Sequence, residues 1–246
     1  MEDRKLTVRA VERALDILMC FTRSSELGLT EIAGQIHLHK STVHRLLTTL
    51  EEKGFVVRDA ATEKYRLGLK VWELSTHLSK SDDPAVLFLR GMERLRDRLG
   101  ETVSLYLRDG KDRLRIQAVQ SNQAIRRVAQ VGARLPLYVG ASSKVLVAFA
   151  SKEDQEELFQ DPEWPDMPDP GSYMRMLEEI RERGYATSFE EREPGAAAVA
   201  VPIVNRSGVV AAALSVSGPV GRISSETLHE FAPVLKEAAH EMGLML

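Results

Sequence analysis

Ser142, Ser143 and Lys144 are the residues of this 246-residue chain that come nearest to a nucleophile beside its base. The serine–lysine pattern S-x-x-K would need serine at position 141, where Ala141 stands. No G-x-S-x-G, no G-x-x-x-x-G-K-[ST] and no H-E-x-x-H occurs. His37 and His39 lack cysteine or carboxylate partners at metal-ligand spacing, and His229 and His240 fall on a helical pattern. The cluster Glu190-Glu191-Arg192-Glu193 reads as a solvated loop. With no nucleophile, base and orienting group in sight, catalysis is not expected. A bifunctional ligase-repressor is not expected either, because a glycine-rich basic adenylate loop is missing. No metal and no cofactor is expected.

The residues that could instead bind something lie between Gly28 and Leu50, in GLTEIAGQIHLHKSTVHRLLTTL. Val43, Leu46, Leu47 and Leu50 fall at i, i+3, i+4 and i+7, which makes one stripe of a helix apolar. Lys40, Ser41, His44, Arg45 and Thr48 fall on the opposite, cationic side. A preceding helix beginning near Thr30, with Thr30 as its N-cap, offers Ile32, Ala33 and Ile36 to the same core. This is the layout of a helix-turn-helix whose second helix enters a DNA major groove. A helical hairpin with a solvated basic face would give the same pattern. His37 stands at the turn position where glycine is usual and would need a left-handed backbone, a cost of about 1 kcal/mol.

The elements on either side decide between those readings. Val8, Val11, Ala14, Leu15, Leu18 and Phe21 predict a first helix over about 7–21. After Gly54, residues 55–58 and 64–67 are rich in β-formers and predict a hairpin. Three helices followed by a two-stranded wing make a winged helix-turn-helix. Arg58, Lys64 and Arg66 of the wing suit phosphate or minor-groove contact.

Residues 69–78 read as helix, and Ser79-Lys80-Ser81-Asp82-Asp83-Pro84 breaks the pattern. The expected organisation is a DNA-binding domain over 1–68, a linker helix and boundary over 69–83, and a second domain over 84–246. That second part predicts a helix over 84–99 with Val86, Leu89, Met92 and Leu95 as its buried face, ended by Gly100. Two strands around Asp109-Gly110-Lys111-Asp112 follow, then a helix over about 140–150 and an acidic helix capped by Ser151. DPEWPDMPDPGS reads as a loop, 173–183 as a helix stopped by Gly184, and 197–204 and 209–216 as strands around Asn205-Arg206-Ser207-Gly208. A final helix is capped by Ser224 or Ser225. The fold class is α+β, with helices packed on a sheet.

Bulk composition sets limits on this picture. Hydrophobic residues make 43% and charged residues 28% of the chain, which describes a globular protein. No apolar run approaches the ~20 residues of a membrane span, and MEDRKLTVRA lacks the apolar core of a signal peptide. Cys20, the only cysteine, sits in an apolar helical pattern; it reads as a buried thiol and points to a cytoplasmic setting. The net charge of −3 divides into +2 over residues 1–80 and −5 over the rest, a mild asymmetry that agrees with a DNA-facing first domain.

At AVERALDILMCF, GLTEIAGQI, KSTVHRLLTTLEEKGFVVRD and YRLGLKVWELS the chain resembles the DNA-binding half of the IclR family of bacterial transcriptional regulators. At VGARLPLYVGASSKVLVAFAS and RERGYATSFEEREPGAAAVAVPIVNRSGVVAAALSVSGPVGR it resembles that family's effector domain, and the likeness covers nearly the whole chain. The resemblance implies an N-terminal winged helix-turn-helix joined by a linker helix to a C-terminal GAF-like domain that binds a small molecule. It implies a homodimer or dimer of dimers on a palindromic double-stranded DNA operator, acting as repressor or activator. By that likeness Lys40, Ser41, Thr42, His44 and Arg45 face the groove. The effector site lies where the helix at Gly140 starts, beside the loop after Gly184 and the last strand pair. Its lining would include Ala141, Ser142, Ser188, Ala198, Ser215 and Ser217. A helix N-terminus with small or hydroxyl-bearing neighbours suits a carboxylate, and Ser215 and Ser217, two apart on a strand, share one face. The family's ligands include small carboxylates, sugar acids and aromatic acids, so a carboxylate-bearing metabolite is the expected class. Tyr138 stands where the family often has histidine and Ser143 where it often has glycine, and Ala198 occupies a position that can be larger or polar; these departures are expected to alter the pocket.

Overall fold

Burial of a few apolar side chains fixes the first unit of the chain. In the computed structural model, which describes residues 7–76, 83–165 and 169–246, the chain divides into two compact units that meet between Asp83 and Pro84. Helices α1 (Arg9–Cys20), α2 (Leu29–Gln35) and α3 (Lys40–Glu52) enclose Ile17, Ile32, Val43 and Leu47, all fully buried. Helix α1 packs through a face shifted from the predicted stripe, keeping Phe21 buried and Ala14 and Leu18 partly buried against the core. Ile17, Cys20 and Phe21 point inward, whereas Val8, Val11 and Leu15 are more than half exposed. Two apolar stripes run along this helix, and only the tertiary contacts choose between them.

Helix α2 is capped by Gly28, not by Thr30. The Gly28 N–H donates to Glu31 Oε2 at 2.7 Å, and Thr30 lies inside the first turn. His37 closes the α2–α3 turn with φ of 53°, the left-handed conformation its position demands. Strands β1 (Val56–Arg58) and β2 (Tyr65–Leu67) pair antiparallel, so the expected wing is present. Its turn is held by Asp59 Oδ1, which accepts from the N–H groups of Ala61 at 2.9 Å and Thr62 at 2.8 Å. Leu27 bridges to Tyr65 through two backbone hydrogen bonds and ties the wing to the helices. A Cβ on Gly68 would lie 2.1 Å from the Gly54 carbonyl oxygen, so only glycine lets the wing turn into α4 (Leu69–Thr76). The rest of the expected linker, 77–82, lies outside the described residues.

The second unit is built on one antiparallel sheet. Helices α5 (Pro84–Leu87) and α6 (Leu89–Leu99) precede β3 (Thr102–Asp109), β4 (Asp112–Val119) and a short β5 (Arg134–Pro136). Then come α7 (Ala141–Ala148), α8 (Lys152–Gln160), α9 (Pro170–Arg183), β6 (Ala186–Phe189), β7 (Ala196–Val204), β8 (Val210–Pro219) and α10 (Ser225–Gly243). The strand order is β5-β4-β3-β8-β7-β6. Four of these strands were legible as two pairs; the edge strands β5 and β6 were not. The expected helix over 84–99 is broken at Phe88, which is buried, while Val86 is 70% exposed and belongs to no core. The proline-rich stretch gives way to helix at Pro170, with Asp169 as cap; residues 166–168 lie outside the described residues.

Strand alternation sorts the side chains onto two unlike faces. On one, Val103, Leu105, Val199, Val201, Ile203, Leu214 and Val216 pack against α6 and α10. On the other, β7 and β8 present mostly small residues, among them Ala198, Ala200, Ala213 and Ser215, toward α7.

Candidate effector cavity and nucleic-acid interface

Sheet register carries the small residues into rows. Ser188 pairs with Ala198 and Ala198 with Ser217, so these three cross β6, β7 and β8 side by side; Ala200, Ser215 and Ser104 form the next row. Helix α7 begins over these rows. Its N-cap, Gly140, has φ of 96°, and a Cβ there would come within 3.3 Å of the Arg113 guanidinium. The result is a cavity of about 50 Å³ whose wall includes all six residues expected by resemblance: Ala141, Ser142, Ser188, Ala198, Ser215 and Ser217. Ser188 reaches it from strand β6, not from a loop. Ser215 donates to the Val199 carbonyl at 3.0 Å, which fixes its hydroxyl in the buried sheet.

Arginines that sequence reasoning missed supply the charge. Arg113, Arg127 and Arg192 line the cavity beside Tyr106 and Glu193. Arg113 and Arg115 lie two apart on β4, and both are buried. Arg113 donates to the carbonyls of Pro136 and Val139, the latter at 2.9 Å, and contacts Ser143 Oγ. Its Nε has no hydrogen-bond partner among the described residues. Burial pulls Arg113 down to about 10, with Arg192 and Arg115 pushing the same way and Tyr106 opposing them. Burial also lowers Arg192. A guanidinium so placed is short of counter-charge, and an anion in the cavity would relieve it. The signal was present as the alternation Arg113-Leu114-Arg115, but an arginine every second residue ordinarily marks a solvated face. Here both faces of the sheet are covered.

Three further expectations are corrected. The Glu190–Glu193 cluster is not merely a solvated loop, because Arg192 and Glu193 border the cavity and Glu191 pairs with Lys144 of α7. Tyr138 does not line the cavity; it is 45% exposed and meets the Trp164 ring edge-on at 6.3 Å. Ser143 is fully buried, donates to the Pro136 carbonyl at 2.9 Å, and touches the cavity only through Arg113.

The second candidate surface is on the first unit. Lys40, Ser41, Thr42, His44 and Arg45 of α3 are all exposed, opposite buried Val43, Leu47 and Leu50. His39, which the sequence did not flag, caps this helix: Nδ1 lies 2.9 Å from the Ser41 hydroxyl and accepts from the Ser41 N–H. Thr42 and Arg45 turn toward α1 and share a groove with Arg9 and Arg13. In the wing Arg58, Lys64 and Arg66 are exposed. Arg58 is held by Glu63 at 2.9 Å, so part of its charge is already matched. The buried Cys20 thiol donates to the Asp16 carbonyl, and burial raises its pKa, followed by the nearby Asp16 charge. Among the described residues no group of His, Cys, Asp or Glu is arranged to hold a metal, and no helix is long and apolar enough to cross a membrane.

A helix-turn-helix with a wing, followed by a sheet domain with a polar cavity, defines a ligand-sensing DNA-binding architecture. Comparison with known proteins agrees with it over both units. The IclR helix-turn-helix domain matches residues 10–60, and the bacterial transcriptional regulator IclR C-terminal domain matches residues 80–243. The chain therefore belongs to the IclR family of transcriptional regulators. It is 31% identical to the HTH-type transcriptional regulator KdgR of Escherichia coli over 98% of this chain and 93% of that protein. It is 33% identical to BhcR of Paracoccus denitrificans over 96% and 86%. Among solved structures, an IclR homolog of Microbacterium hydrocarbonoxydans complexed with 4-hydroxybenzoate superposes with a TM-score of 0.82, at 28% identity over 96% of this chain and 98% of that one. Thermotoga maritima IclR gives 0.74 at 32% identity over 95% and 96%. The protein is thus a DNA-binding transcriptional regulator with a C-terminal effector-binding domain, not an enzyme.

Proposed function

We propose that this regulator binds a palindromic operator as a homodimer or dimer of dimers in the cytoplasm, and that a small carboxylate bound in the C-terminal cavity shifts its operator affinity. Residues 1–68 form the DNA-binding domain, 69–83 the linker and 84–246 the effector-binding and oligomerisation domain. Lys40, Ser41, Thr42, His44 and Arg45 lie in the major groove, with Arg58, Lys64 and Arg66 of the wing on the backbone or minor groove. Ala141, Ser142, Ser188, Ala198, Ser215 and Ser217 hold the effector.

The observation that carries this reading is the convergence of those six residues and three arginines on one cavity at the start of α7. Helix N–H groups without intrahelical acceptors, hydroxyls and guanidinium groups are all donors, and a carboxylate is the acceptor that suits them. For the ligand to act, it must bind one dimer arrangement better than another; equal affinity would shift nothing.

The test is binding of the full chain to DNA from upstream of its own gene and its neighbours, at fixed salt, with and without small carboxylic and aromatic acids. Specific binding altered by one acid is the expected result. Specific binding indifferent to every acid would overturn the effector assignment, and no sequence preference on any fragment would count against operator recognition itself.

A further inference from the structure

The inner cavity shares a wall with a second, outer one. The outer cavity, about 440 Å³, is lined by Arg115, Arg126 and Gln130 together with Pro194 and Gly195. Arg127, Arg192, Glu193 and Ala196 line both. The partition is therefore an ion pair: Glu193 is bound to Arg127, and Arg192 Nη2 lies 3.3 Å from the same carboxylate. Glu193 is borne on the β6–β7 loop and is half exposed, whereas Arg127 is largely covered at 14%.

Charge and size together constrain what fits. The inner cavity carries three guanidinium groups against one carboxylate, and that carboxylate belongs to the partition, not to the floor. Arg113, only 3% exposed, lines the same cavity beside the N-terminus of α7, and its Nε has no partner among the described residues. The inner cavity, at about 50 Å³, is far short of the roughly 150 Å³ of a benzene-binding cavity. An acid head fits inside, and the remainder of any larger ligand must pass the partition. Glu193 is half exposed and returns to water when displaced, and an incoming anion leaves the covered Arg127 still paired, so the exchange keeps the buried charge matched.

Resting on the effector reading of this cavity, we propose that its ligand is a short dianion, a diacid or hydroxylated diacid. One acid group lies in the inner cavity beside Arg113, at the start of α7. The second replaces Glu193 on Arg127 and Arg192, which opens the partition and joins the two cavities. Glu193 is thus a built-in stand-in for the ligand's second charge. The hydroxyls of Ser188 and Ser217, which line the same cavity, suit hydroxyl substituents on the ligand chain.

The test is calorimetric titration of the full chain with succinate, malate, butyrate and benzoate at fixed salt. The wild type is compared with Glu193→Gln, Arg127→Gln and Ser215→Leu, each checked for folding by circular dichroism. Succinate or malate is expected to bind about 10-fold or more tighter than butyrate, because the second carboxylate gains charge-assisted bonds. Glu193→Gln should tighten the diacids about 2- to 5-fold and leave butyrate unchanged. Arg127→Gln should remove the preference for diacids, and Ser215→Leu should abolish binding of all four. Where Arg127→Gln does not fold, the half-exposed Glu193→Gln carries the test. Butyrate or benzoate binding as tightly as succinate, with Ser215→Leu still abolishing it, would overturn the dianion and leave the cavity as the effector site. Failure of every acid to bind, or binding indifferent to Ser215→Leu, would overturn both.

Discussion

The Tyr106 hydroxyl accepts hydrogen bonds from Nε and Nη2 of Arg115, at 3.0 and 2.7 Å. The Arg113 guanidinium lies 5.5 Å from the centre of the same ring, so one tyrosine steadies two buried cations. Strand β3 brings Tyr106 there through a register shift at Leu105/Tyr106 against β4.

Tyr106→Phe keeps the ring and removes the acceptor. A buried guanidinium then loses two charge-assisted bonds, and the second unit should lose about 1–3 kcal/mol in urea unfolding. An unchanged transition would mean that the Gln130 carbonyl, which also accepts from Arg115 at 3.1 Å, is sufficient by itself.

Ser215→Leu inserts a larger side chain on the α7 side of β8, where its paired neighbours Ser104 and Ala200 are small. Overpacking should cost about 1–3 kcal/mol, and thermal melts should no longer rise on addition of a binding acid. Operator affinity without effector should stay at the wild-type level. A variant that still responds to the acid would move the site away from Ser215.

Arg45→Ala should weaken specific operator binding by about 1–3 kcal/mol if Arg45 reads a base edge. The wing behaves differently because Glu63 already matches Arg58. Glu63→Gln should release that arginine, raise affinity for all DNA sequences alike, and steepen the salt dependence by about 0.9 of a unit in the log–log slope. Unaltered affinity in a salt-controlled titration would take Arg45 out of the readout, and an unaltered slope would take Arg58 out of phosphate contact.

The Asp59 carboxyl is held below the ordinary carboxylate range, first by the Thr62 N–H and then by the Ala61 N–H. A depressed folded-state value means the wing turn gains stability above the unfolded pKa and loses it as pH falls through the lower folded one. Amide resonances of Ala61 and Thr62 should therefore hold steady on acidification past the usual aspartate range and shift only below it. A shift centred at the unperturbed value would show those hydrogen bonds to be absent in solution.

Arg113, pulled down to about 10 by burial, runs in the opposite sense. Its charged form costs stability at neutral pH, and that cost is relieved as pH rises past the folded value. Acid affinity depends on the same charge, so it should hold from pH 6 to 9 and fall as pH climbs through about 10. Affinity unchanged above that range would mean that Arg113 keeps its proton there.

Sequence alone determined the helix-turn-helix and its wing, because each element there carries its own helical or strand periodicity. Val43, Leu47 and Leu50 mark one face of α3, and Lys40, His44 and Arg45 are left on the other. Ser215 and Ser217 were legible for a similar reason, since strand alternation puts both on one face. Tertiary structure decided the rest. Whether α1 turned Val11 or Ile17 inward depended on which stripe met α2 and α3. Ser188 had no strand until β6 paired with β7, because an edge strand of four residues has too little pattern of its own. The cavity's charge was hidden for the strongest reason. Arg113, Arg127 and Arg192 come from separate segments, and each alone reads as a solvated cation. Burial of Arg113 and Arg115 follows from helices and loops covering both faces of the sheet. That long-range packing fact gives the cavity its positive charge, and no local spacing of residues encodes it.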